Sequence, residues 1–81
     1  MYFVYILRNK KGEMYKGISN QPKRRLKEHN KNECSGTRGK GPWNLIYTES
    51  FETRVLARKR EKYFKSGSGR EFLKILLNIP L

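Results

Sequence analysis

No aspartate occurs in these 81 residues, and histidine, cysteine and tryptophan occur once each, as His29, Cys34 and Trp43. These shortages exclude a good deal. A zinc site built from cysteine and histidine needs about four ligands, and a disulfide within the chain needs a second cysteine. A thiol protease needs a cysteine and a histidine held at working geometry, and Cys34 reads instead as a bystander in a loop. No apolar run approaches the roughly 20 residues of a membrane span, and the N-terminus lacks the layout of a signal peptide. The expectation is one soluble, cytoplasmic domain, residues 1–81, with no membrane partner.

Positive charge is what the chain has in excess. Nineteen Lys and Arg stand against seven acids, a formal charge of +12. Self-repulsion of that size is relieved most naturally by a polyanion, and the basic residues are spread through every third of the chain, so the folded body itself carries the positive surface. Nucleic acid is the leading partner: DNA, with RNA left open.

The segment "YFVYIL" (2–7) is β-branched and aromatic on both faces, which suits a central strand covered on both sides. "RNKKGE" is a turn and "MYKGIS" a second strand, in which Lys16 and Gly17 are out of place for a purely structural role. Tyr5 and Tyr15 are separated by an even number of residues, so a hairpin loop of three or five residues puts both rings on one face. "SNQPKRRLKEHN" predicts a helix capped by Ser19 or Asn20, with Pro22 in its first turn and an end near Asn30. Residues 31–42 predict a polar loop without periodicity. "WNLIYTESF" restores strand alternation, and a helix follows from Glu52 or Thr53 with Val55, Leu56, Tyr63 and Phe64 as its apolar stripe. "SGSG" ends it, and "REFLKILLNI" predicts a last helix with Phe72, Leu73, Ile75, Leu76 and Leu77 to bury. The order β-β-α-β-α-α is an α+β class, a small three-stranded antiparallel sheet flanked by helices.

With aspartate absent, a divalent ion has only glutamate, backbone oxygen, water or a substrate's phosphate to bind. Glu61 stands out because it lies within "RKREKYFK", although an i,i+4 ion pair with Lys65 would also use it. Arg25 and His29 are four residues apart and project from one side of a helix. A guanidinium offers a fork of donors to phosphate oxygens, and an imidazole exchanges protons near neutrality. Either could equally be a surface residue. A tyrosine acting on a proton must work against an ordinary pKa near 10, and nearby positive charge would favour the phenolate.

Taken together, "FVY" (Phe3, Val4, Tyr5), "YKG" (Tyr15, Lys16, Gly17), Arg25, His29 and Glu61 resemble the GIY-YIG nuclease domain. "YILR", "RRLKEHN", "PWNLIYTESF" and "REKYFKSGSGREFL" resemble its small stand-alone bacterial members. The resemblance implies a metal-dependent DNA endonuclease using Mg²⁺ or Mn²⁺. Tyr5 would position or deprotonate the attacking water and Tyr15 would hydrogen-bond within the site. Arg25 would stabilise charge on the phosphoryl group, His29 would assist Tyr5 or the water, and Glu61 would bind the metal. Phe3 stands where the family has its first glycine, Val4 replaces one isoleucine and Lys16 another. Phosphate-binding cations would be Lys16, Arg24 and Lys27, Arg38 and Lys40 in the loop, and Arg58 and Lys62 on the basic helix. With no recognition domain attached, the expectation is weak sequence preference or recruitment by a protein partner, and cutting both strands would call for a dimer. The alternative is a catalytically weak nucleic-acid-binding module on the same scaffold.

Overall fold

The computed structural model describes residues 1–78. Its framework is an antiparallel sheet of three strands in the order β2-β1-β3, with β1 spanning Tyr2–Arg8, β2 Met14–Ser19 and β3 Asn44–Phe51. The hairpin between β1 and β2 is organised by Asn9. Its side-chain oxygen accepts the backbone N–H groups of Lys11 and Glu13, while its amide donates to the Glu13 carboxylate and to the Lys40 carbonyl. Gly12 takes a positive φ of 83° here, a conformation glycine adopts without steric cost. The loop therefore runs from residue 9 to 13, which sets Arg8 opposite Met14 and Leu7 opposite Tyr15. The odd loop length places Tyr5 and Tyr15 on one face, as the spacing predicts.

β1 is central, and Val4, Tyr5, Ile6 and Leu7 are all at most 1% exposed. Successive side chains of a strand point to opposite faces. Val4 and Ile6 therefore pack with Ala57, Phe64 and Leu73 on one side, and Tyr5 and Leu7 with Trp43, Tyr15, Leu26 and Leu45 on the other. Between β1 and β3 the register shifts after Ile6, which pairs with Tyr47 while Leu7 pairs with Leu45. This bulge lets Leu45 and Tyr47, which an unbroken strand would place together, serve opposite cores.

Helix α1, Pro22–Asn30, covers the Tyr5 face. Its N-cap is Gln21, one residue later than the sequence predicts. The Ser19 hydroxyl accepts the Gln21 N–H in a turn ahead of the helix and does not cap it. At the other end, the Asn30 side chain exchanges two hydrogen bonds with the backbone of Trp43, tying α1 to the start of β3.

Helices α2, Arg54–Lys65, and α3, Gly67–Leu76, cover the other face. Thr53 caps α2 by accepting the Leu56 N–H. The buried residues of α2 are Ala57, Glu61 and Phe64, whereas Val55, Leu56 and Tyr63 are 66%, 45% and 36% exposed. The predicted stripe is thus rotated, leaving only Phe64 inside. The small Ala57 lets the helix approach the sheet closely, and Arg60 shields the outer aromatics. Its guanidinium lies 4.6 Å from the Phe64 ring centroid and 5.1 Å from those of Tyr63 and Phe72, while pairing with Glu49.

"SGSG" does more than stop α2. The Ser66 hydroxyl donates to the Tyr63 carbonyl and accepts the Gly69 N–H, so one residue ends α2 and caps α3. Of the residues expected to bury from α3, only Leu73 is fully inside and Leu77 packs partly, because α3 leans on one neighbour, α2. Phe72, Ile75 and Leu76 remain 37%, 80% and 44% exposed. Ile79, the predicted end of that helix, lies outside the described residues. None of the described helices is long and apolar enough to cross a membrane.

A Cβ on Gly69 would lie 1.7 Å from the Tyr63 carbonyl oxygen, a backbone atom that cannot swing aside. Gly69→Ala should therefore destabilise the protein by about 3 kcal/mol or more, at the severe end of overpacking. Chemical denaturation checks it, and a loss below about 1 kcal/mol would mean that α3 moves freely against α2.

Candidate active site

The Tyr5 ring lies across β2 over Gly17, its partner in the sheet. A Cβ on Gly17 would stand 2.7 Å from both Cζ and Oη of Tyr5. The glycine that looks out of place in a strand is thus what lets the phenol lie flat there. Tyr15 stands beside it, with ring centroids 6.2 Å apart.

α1 brings His29 onto this pair. The helix presents residues 25 and 29 on one side, and His29 is fully buried against Tyr15, ring centroids 4.6 Å apart. The Tyr5 hydroxyl and His29 Nε2 are 2.9 Å apart, and His29 Nδ1 lies 2.7 Å from Oγ1 of Thr37. Thr37 was invisible to pattern reading. It belongs to the loop predicted to lack structure, which contains one 3-10 turn, Ser35–Thr37. That loop is pinned at several points. Asn32 accepts the Gly39 N–H and the Arg38 guanidinium, and the Trp43 indole donates to the Thr37 carbonyl. Among the described residues no buried side-chain polar atom lacks a partner.

Burial dominates the electrostatics. It pushes the Tyr5 phenol up to about 12, outweighing the nearby Arg25 guanidinium, which pulls the other way. Nearby positive charge favours the phenolate, as the composition suggests, but burial outweighs it and a standing phenolate is disfavoured. The His29 imidazole is pushed down, by burial first and by Arg25 second, with Glu28 opposing. Arg25 is held firmly charged, first by Tyr5 and then by Glu28, whose carboxylate it also ion-pairs. Glu28 additionally holds Arg24 at 3.5 Å.

The structure brings together four of the five residues named from the sequence: Tyr5, Tyr15, Arg25 and His29. Glu61 is a buried residue of α2, the helix whose Ala57 and Phe64 pack with Val4 and Ile6. It is 9% exposed and pairs with Lys65 at 3.5 Å and Arg58 at 3.8 Å. The described residues contain no group of three or more His, Cys, Asp or Glu able to cage a metal. One carboxylate does fit a Mg²⁺-like ion, which keeps several waters and shares its shell with substrate phosphate oxygens.

The cations divide by location. Lys16, opposite Ile6 and hence on the α2 side, is half-buried, and burial, then Arg70 and Lys65, push its pKa down. Arg24 and Lys27 are exposed on α1, and Arg38 and Lys40 on the loop. Arg58 and Lys62 line an open hollow of about 430 Å³ on α2 together with Arg54, Val55 and Lys59. Arg60, within the basic stretch, is instead committed to Glu49 and the aromatic rings.

A strand tyrosine bonded to a buried histidine, beside an arginine from the same helix, on a β2-β1-β3 sheet, defines a class. The chain belongs to the GIY-YIG family, whose catalytic domain matches residues 1–74. It is 40% identical over 78 residues to a UPF0213 protein of Clostridium perfringens, covering 94% of this chain and 83% of that one. A UPF0213 protein of Staphylococcus saprophyticus is 32% identical over 76 residues, 93% of each chain. The solution NMR structure of a UPF0213 protein from Bacillus halodurans superposes with a TM-score of 0.57 at 34% identity, over 99% of this chain and 89% of that one. GIY-YIG is a nuclease family, and its nucleases act on nucleic acid.

A histidine buried neutral binds its proton more weakly folded than unfolded, so the unfolded chain gains protons first as pH falls. His29 thus adds to stability in full above its unfolded pKa near 6.5, and that contribution erodes as pH drops through and below it. The melting temperature should fall between about pH 7.5 and pH 5.5, and more steeply in wild type than in His29→Gln. His29 is the one histidine, so the comparison is clean. A wild-type melting temperature that rises on acidification would contradict the assignment.

Proposed function

We propose that this protein is a divalent-metal-dependent DNA endonuclease that hydrolyses phosphodiester bonds with little intrinsic sequence preference. The observation that carries the reading is the buried Tyr5–His29 hydrogen bond, with the charged Arg25 guanidinium near the same phenol. A neutral imidazole bonded to a phenol can take its proton while the phenol takes one from water. This relay avoids the costly free phenolate. Arg25 is about one-third exposed, so its remaining donors can meet the phosphoryl oxygens as negative charge develops. Tyr15 walls the imidazole. Glu61 would hold Mg²⁺ or Mn²⁺, and a bound ion would supply Lewis-acid stabilisation of the phosphoryl and leaving oxygens.

Lys16, Arg24, Lys27, Arg38, Lys40, Arg58 and Lys62 serve the DNA backbone as salt-sensitive phosphate contacts. They carry no base code, which fits weak sequence preference. A protein partner or a second copy would then supply target choice and double-strand cutting. One observation favours the alternative of a binding module with weak or no cleavage. Glu61 is engaged by Lys65 and Arg58, and both cations must yield before it meets an ion.

Plasmid nicking with Mg²⁺, Mn²⁺ or EDTA separates the readings. Wild type should nick with either metal and stop in EDTA. Arg25→Ala should lower kcat by about 10²-fold or more, the usual loss when a donor to developing charge is removed, while binding weakens only slightly. Glu61→Gln should abolish cutting with binding retained. Unchanged metal-dependent cutting by Glu61→Gln would remove that residue from the metal site, and binding without cutting in wild type would establish the module.

A further inference from the structure

We infer that Thr37 is a positioning residue that holds His29 with its proton on Nδ1, so that Nε2 faces Tyr5 as a base. The argument follows the donors. Arg25, a charged neighbour of Tyr5, carries donors alone and offers no acceptor atom to its O–H. Tyr5 is 1% exposed, and the one acceptor its own O–H meets is His29 Nε2, at 2.9 Å. Nε2 must therefore be bare, and the neutral ring carries its proton on Nδ1.

That N–H points at Thr37 Oγ1, 2.7 Å away, and both residues are completely buried. The threonine hydroxyl in turn donates to the Cys34 carbonyl at 3.4 Å. The chain has one direction throughout: Tyr5 to His29, His29 to Thr37, Thr37 to a backbone carbonyl. It ends on a group that can only accept. Reversing it would leave the Tyr5 proton without a partner.

The catalytic consequence rests on the nuclease reading. As a water O–H breaks, its proton passes to Tyr5 Oη, and the phenol's original proton passes to His29 Nε2. The water's electron pair forms a new bond to phosphorus while the bond from phosphorus to the leaving sugar oxygen breaks, that oxygen keeping the bonding pair and taking a proton from solvent. His29 becomes an imidazolium that still donates from Nδ1 to Thr37, beside the Tyr15 ring. With the opposite tautomer Nε2 would already be occupied and the transfer would have nowhere to go.

The test is a long-range ¹H–¹⁵N spectrum of the protein near neutral pH, in which the single histidine gives one unambiguous ring pattern, for wild type, Thr37→Ser and Thr37→Val. Wild type and the serine variant should show a protonated Nδ1 and a bare Nε2. The valine variant, which offers Nδ1–H no acceptor, should shift toward the other tautomer. Where nicking is measurable, Thr37→Val should lower kcat by about 10²-fold with KM little changed, the lower end of what proton transfer contributes, and Thr37→Ser should restore it. A wild-type spectrum with the proton on Nε2 overturns the inference whether or not the protein cuts DNA. A protonated Nδ1 in a protein that never cuts upholds it and fails the nuclease reading instead. A valine variant that folds and keeps the proton on Nδ1 removes Thr37 from this role, and Thr37→Ala takes the place of the valine variant if that one does not fold.

Discussion

Everything in this molecule is arranged around one strand buried on both faces. β1 contributes Val4, Tyr5, Ile6 and Leu7 in immediate succession, and none of them reaches solvent appreciably. Because a strand alternates its side chains, this single run must supply two different cores. One half is purely apolar and seats α2 and α3. The other carries a phenol into the layer beneath α1, where it needs polar company. A slip of one residue in the β1–β2 register would turn β2 over, sending Tyr15 to the Ala57 and Phe64 side and away from Tyr5. Asn9 guards against that slip by holding the hairpin loop at one length through four side-chain hydrogen bonds.

A buried polar cluster in so small a domain is tolerable only if it is closed. An unpaired buried N–H or O–H costs about 1–3 kcal/mol, a large part of the stability of a domain this size. Here the loop after α1 folds back through Thr37, and Trp43 and Asn30 fasten it, so the histidine's second nitrogen is satisfied. The loop is as much part of the site as the strands are. Gly17 has the complementary role of providing space, since the phenol occupies the volume that a Cβ would take.

The same economy sorts the arginines. Arg60 is a structural cation, gripped by Glu49, whose carboxylate also accepts the Tyr47 hydroxyl, and laid over three rings on the α2–α3 side. Arg25 is about one-third exposed and lies near Tyr5. Arg54, Arg58, Lys59 and Lys62 face outward along α2. A charge of +12 is thus not one undifferentiated surface. Glu61 is the point of tension, because two cations already engage it.

The sequence by itself determined the order of elements, the central position of β1, the shared face of Tyr5 and Tyr15, and membership of the GIY-YIG family. Those properties follow from alternation, loop parity, helix spacing and a motif whose residues lie in fixed order, all short-range features of a chain. Only the tertiary structure decided the rest. The face of α2 that turns inward depends on how closely Ala57 lets the helix approach, so Val55 and Leu56 lie outside although they are more apolar in pattern. The shift of the Tyr5 pKa depends on competition between burial and Arg25, and burial prevails although composition points the other way. Thr37 carries no motif, and its importance arises when a turn of irregular loop docks against a histidine on the preceding helix. Periodicity describes a chain's relation to itself, whereas desolvation and hydrogen-bond closure depend on segments that meet only in the folded state.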